Sequence, residues 1–203
     1  MKQRAWIGWA VGVAVLVLGT VSAAEAETVI FTNINDATPS TCYDSTTTAP
    51  DSLNPNKLII GIKSGIGLVA TPLGNAYIDR GCTASTSSFS SRNTADTISF
   101  QVEAPAGFYV SKITFTQSGT TTAGRGGQSF VGALWVVDQD AENLLYSGST
   151  AKTWSGTVNL TGQNKTLVPV AITTYLTAAG ISPQYSSASI TNPSVVVEVL
   201  PLP

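Results

Sequence analysis

The stretch Thr97 to Gly119, TISFQVEAPAGFYVSKITFTQSG, constrains the fold more than any other. Ile98, Phe100 and Val102 alternate with Thr97, Ser99, Gln101 and Glu103. A period of two is that of a β-strand with one buried face, because successive side chains point to opposite sides of a sheet. Ala104-Pro105-Ala106-Gly107 then interrupts the run with a residue of fixed φ and one that tolerates positive φ. Beyond it Tyr109, Ile113 and Phe115 share a parity. The expectation is a β-hairpin in an antiparallel sheet with one face on a core.

The rest of the chain repeats the theme in shorter pieces. Strand candidates are 27–34, 58–63, 129–138, 144–147, 154–160, 167–175, 186–190 and 195–200, with brief extended pieces at 66–70 and 76–79. Residues 35–56 and 81–94 read as loops, rich in Pro, Ser and Thr. Pro169 argues against a central ladder position for 167–175, and 178–182 has room for a short helical turn. About ten short strands punctuated by Gly, Pro, Asn and Ser predict an all-β fold, an antiparallel β-sandwich of jelly-roll-like type.

The first residues address the chain rather than fold it. Lys2 and Arg4 precede the apolar run Ala5–Leu18, and small residues follow at Ala24-Glu25-Ala26. This is the layout of a signal peptide cut after Ala26. The run is shorter than the roughly 20 residues a spanning helix needs. No later segment is long and apolar enough to span a bilayer. Residues 27–203 are then a single exported domain, extracellular or periplasmic. Cleavage removes two cations and one anion, taking the net charge from −2 to −3. No basic patch remains for nucleic acid. The two cysteines, Cys42 and Cys82, predict one disulfide in an oxidising compartment.

The segments Ala104-Pro105-Ala106-Gly107-Phe108 and Ile113-Thr114-Phe115-Thr116-Gln117 resemble secreted bacterial β-sandwich exoproteins of the PEP-CTERM type. The ending Leu200-Pro201-Leu202-Pro203 is similar to the start of their sorting signal. The apolar helix and basic tail of that signal do not follow Pro203. The resemblance implies a matrix or surface component and carries over no functional residue.

Chemistry is bounded by what is missing. The chain has no histidine, which removes Ser-His-Asp and Cys-His nucleophiles and histidine metal sites. A hydrolase would need two facing carboxylates, and no such pair can be read from the sequence. The expectation is therefore a non-catalytic protein without a cofactor. Asp138, Asp140 and Glu142 alternate in a turn and could offer oxygens to calcium. Among the aromatics, Trp135 lies in an apolar run and reads as core, whereas Trp154 has polar neighbours and reads as a sugar-stacking platform. Tyr109, Tyr146, Tyr175 and Tyr185 are further candidates, with Tyr146 grouped beside Trp154. Arg125, in the glycine-rich segment 124–127, could reach a partner. The expected partner is a glycan or a protein surface. The alternative is a filament in which a terminal strand, 27–34 or 195–200, completes a neighbour's sheet.

Overall fold

The structure, a computed structural model, describes residues 28–37, 42–63, 83–86, 91–123, 128–147, 151–179 and 186–203; for 83–86, 91–94, 144–147 and 151 it describes the backbone alone. Eleven strands form among them, and no helix: β1 (Ile30–Asp36), β2 (Tyr43–Pro50), β3 (Lys57–Ile62), β4 (Thr83–Thr86), β5 (Ser91–Glu103), β6 (Phe108–Thr122), β7 (Gln128–Val137), β8 (Asp140–Ser147), β9 (Ala151–Asn159), β10 (Leu167–Ala179) and β11 (Ser186–Pro201). One sheet has the order β1-β5-β10-β7-β8. The other runs β2-β3-β11-β6-β9, with the short β4 also paired to β11. Every pairing is antiparallel.

The pairings nest. β7 pairs with β8, β6 with β9, β5 with β10 and β3 with β11. A long hairpin wound around itself gives this order, with successive pairs falling alternately in the two sheets. That is the topology of a jelly roll.

The core lies between the sheets. β5, β6, β7 and β10 each bury alternate residues, and Trp135 of β7 packs on Phe115 of β6 with ring centroids 5.9 Å apart. Burying a large aromatic or aliphatic side chain stabilises by about 1.5–3 kcal/mol. Period-two patterning is thus the main source of cohesion between sheets.

Five sequence expectations change. The stretch 97–119 is no hairpin: β5 and β6 lie in different sheets, and 104–107 arches from one to the other. Gly107 takes φ 84° in that arch, and Phe108 N donates to Pro105 O at 3.0 Å. The segments 144–147 and 154–160, which read as a second hairpin around Gly148, likewise belong to opposite sheets. Residues 43–50 form an edge strand, and 83–86 and 91–94 are also extended, where loops were expected. β10 is central in spite of Pro169, which sits opposite Gln101 just beyond the last β7 partner, Val137. Pro169 O accepts from Asp138 N at 2.8 Å, so its nitrogen faces the same turn and no ladder bond is lost. Finally, Ala178 and Ala179 belong to β10, and 186–201 is one strand. A bulge between Thr191 and Ser194 absorbs Pro193, with Asn192 at φ 52°. The pieces expected at 66–70 and 76–79, and residues 180–182, lie outside the described residues.

The ends of the sandwich differ. The closed end has tight connections, including 104–107 and the two-residue turn Asp138-Gln139. The starts of β5, β7, β9 and β11 meet the ends of β6, β8 and β10 at the opposite end. Toward that end the interior turns polar: Thr121, Ser129 and Ser186 are all buried. Between the halves, the Tyr43 and Thr174 hydroxyls share a hydrogen bond, and Thr174 donates to Gln117 Oε1 at 3.3 Å. Burial pushes the Tyr43 phenol far above its ordinary value; the bond to Thr174 pulls it back in part, and the Asp96 carboxylate adds a further rise. Asp96, 2% exposed, caps the start of β2: its Oδ2 accepts from Cys42 N at 2.7 Å and Tyr43 N at 2.8 Å, and Oδ1 accepts from Thr97 N at 2.8 Å.

Candidate functional site

Trp154 is not an outward platform. It stands opposite Gln117, whose side chain is fully buried, so both project inward. Its ring reaches the Gly119 backbone: a Cβ at Gly119 would lie 2.6 Å from Trp154 Cη2. The ring is half-buried and packs against the core. Its polar neighbours misled because Thr153 and Ser155 belong to the other face of the same strand.

Trp135 is wholly buried, and its indole N–H donates to Glu142 Oε2 at 3.3 Å. Tyr109 is buried. Tyr146 lies on β8 opposite Val131, its side chain outside the described ones. Tyr185 and Arg125 lie outside the described residues.

Tyr175 is different. It lies on the outward parity of β10, between the buried Thr174 and Leu176, and its cross-strand partner on β7 is Gly132. The ring lies across that glycine: a Cβ at Gly132 would fall 2.0 Å from Tyr175 Cε2 and 2.3 Å from Cζ. No other residue type fits under it unless the ring moves. On the β5 side the partner is Ala95, which adds only a methyl group. The half-buried Phe130 and Leu134 flank Gly132 along β7 on the same face. A half-buried aromatic ring is thus held on the outer face of the sheet, against the Gly132 backbone.

More of that outer face is built for contact. Two residues along β10, Thr173 Oγ1 and Thr97 Oγ1 are bonded at 2.8 Å. Farther toward the closed end is a depression of about 290 Å³ over Pro169, Ala171 and Val136, rimmed by Asn33, Ser99, Gln101 and Asp138. Asn33 Nδ2 donates to Gln101 Oε1 at 2.6 Å. Ala171 and Tyr175 are four residues apart on one strand, about 13 Å. Platform, hydroxyl pair and polar depression therefore line up along β10. The apolar surfaces suit the C–H face of a sugar ring, and the amides and hydroxyls suit its hydroxyls.

Several carboxylates in the described residues hold structural contacts. Asp36 pairs with Lys63 at 2.7 Å, Asp51 with Lys57 at 3.6 Å, and Asp138 with Lys165. Of the three residues expected to hold calcium, Asp138 thus faces a lysine, Glu142 faces the Trp135 indole, and Asp140 is exposed at the start of β8. Among the described residues no group of three metal-ligating side chains occurs. Cys42 is 1% exposed and no free cysteine occurs among the described residues; Cys82 lies outside them. No helix of the described residues is long and apolar enough to cross a membrane.

Sequence reasoning named Tyr175 but ranked it behind Trp154. The usable signal was Gly132, a lone glycine inside the apolar run SFVGALWVV, where a strand glycine marks close approach of another group. No protein-family model and no curated protein matches this chain, so the resemblance to PEP-CTERM-type exoproteins gains no support from that side.

Proposed function

We propose that the chain is an exported, non-catalytic binding module of the cell surface or extracellular matrix, and that it holds a glycan on the outer face of its five-stranded sheet. The observation that carries this is the Tyr175 ring laid across Gly132. A half-buried ring packed against backbone is already ordered, which lowers the entropy lost on stacking. The hydroxyl pair Thr97–Thr173 and the rim Asn33–Gln101 supply hydrogen-bonding groups in line with it. Among the described residues that line this strip there is no cation, and the nearby Lys165 is paired with Asp138. A neutral polysaccharide therefore fits better than an acidic one.

The test is affinity electrophoresis of the purified protein through gels holding cellulose derivatives, xylan, mannan, soluble chitin or alginate. Retardation by a neutral polymer, abolished by Tyr175→Ala and kept by Trp154→Ala, supports the reading. Retardation by none, or loss only with Trp154→Ala, removes it. The filament alternative draws no comparable observation: β1 pairs with β5, and β11 lies between β3 and β6, within one chain.

A further inference from the structure

The two sheets have four outer edges, β1 and β8 on one and β2 and β9 on the other. Three of them are interrupted. β1 slips register between Thr32 and Asn35, with Asn33 at φ 52°. β2 slips between Asp44 and Ala49 and ends in Pro50. β8 begins at Asp140 and directs Glu142 to the core tryptophan. Bulges, prolines and inward charges are the devices by which edge strands avoid recruiting other strands.

β9 has no bulge and no proline, and its one charged side chain, Lys152, stands near its start. It pairs with β6 from Ala151 to Asn159 without a register shift and contains neither proline nor carboxylate. Among the described residues β6 is its one strand neighbour.

We propose that β9 is a dimerisation edge, and that its occupant is β9 of a second copy, antiparallel about a two-fold axis through Ser155. The strand is complementary to itself in that register. On the outer face Thr153 meets Thr157 of the other copy, and Ser155 meets its own counterpart. Such hydroxyl pairs already join β9 to β6, at Thr114–Thr157 (3.1 Å) and Ser118–Thr153 (2.7 Å). On the inner face Trp154 stands opposite Gly156, which brings no side chain to the seam, while the Trp154 ring lies the other way, over Gly119 of β6. Lys152, the one charged residue of the strand, falls opposite Val158, so no like charges oppose. A slip of one residue would set inward side chains against outward ones, which fixes the register. The pairing joins two six-stranded sheets into one and leaves the Tyr175 face of each copy open.

The test is sedimentation equilibrium of the purified exported protein, with Ser155→Lys and Ser155→Glu. Ser155 is exposed on the outer face, so neither change touches the core. The proposal expects a wild-type dimer, a dissociation constant raised about tenfold or more in each variant alone, and a restored dimer when the two variants are mixed. Circular dichroism melts of the variants separate loss of pairing from loss of fold. A wild-type monomer at every concentration reached overturns it. So does a dimer indifferent to Ser155→Lys, or a mixture of variants that stays monomeric.

Discussion

Asp96 is the buried group on which the start of β2 depends, and Asp96→Asn tests that without changing shape. The carboxylate receives three backbone N–H groups, from Cys42, Tyr43 and Thr97, at 2.7–2.8 Å. An amide has one acceptor oxygen. Turned toward Cys42 and Tyr43, it sets its NH2 against the Thr97 N–H; turned the other way, it faces two donors with a donor. A hydrogen bond to a charged group contributes about 1.5–3 kcal/mol net, and a buried donor left unmet costs about 1–3 kcal/mol. Some of this is returned, because a buried charge no longer has to be desolvated. The net expectation is a loss of about 3–4 kcal/mol. In a domain of this size that lowers the melting temperature by about 6–16 °C. The assay is thermal and urea denaturation at neutral pH, with Asp96→Ala as a reference that also removes the side chain. A change below about 1 kcal/mol for Asp96→Asn would refute the reasoning, since the three donors would then have other acceptors.

Three further outcomes follow from the interior. The Tyr43 phenol is harder to ionise when folded, so folded protein holds its proton where the unfolded chain releases it. Stability is then unaffected below the ordinary tyrosine pKa of about 10 and falls above it by up to about 1.4 kcal/mol per pH unit; urea melts from pH 8 to 11 should show this slope, flattened by Tyr43→Phe. Reduction of the expected Cys42–Cys82 bridge opens a loop of about 40 residues and should lower stability by about 4 kcal/mol. Non-reducing peptide mapping must also find the linked pair. Thr121 Oγ1 is buried without a hydrogen-bond partner among the described residues, so Thr121→Val should raise stability by about 1 kcal/mol; a loss of that size in the denaturation assay would show the hydroxyl to be bonded.

Alternation shows which face of a strand is buried, and it did so for β5 and β6. It does not say which sheet the strand joins. Ala104-Pro105-Ala106-Gly107 can return a chain beside itself or carry it across a core, and both leave the same pattern in Ile98, Phe100, Val102, Ile113 and Phe115. β2, YDSTTTAP, was missed because an edge strand needs few apolar residues; it buries Tyr43 and Thr48 and exposes most of the rest. Pro169 and Pro193 misled because each falls where a ladder bond is absent, past the end of β7 in one case and at a bulge in the other. The site was half legible. Tyr175 alternates with buried Thr174 and Leu176, but only the pairing to Gly132, 43 positions away in sequence, lays its ring on the sheet.

That ring gives the most direct measurement. Gly132→Ala puts a Cβ where Tyr175 Cε2 now lies, 2.0 Å away, and the obstacle is a side chain able to lift. The aromatic remains but no longer lies on the sheet. Titration calorimetry against the polysaccharide that retards the wild type should show binding weakened about 5–10-fold, the worth of one stacking contact of about 1–1.5 kcal/mol, with Tyr175→Ala at least as weak and both variants folded. Wild-type affinity in both variants would contradict a glycan held on this face.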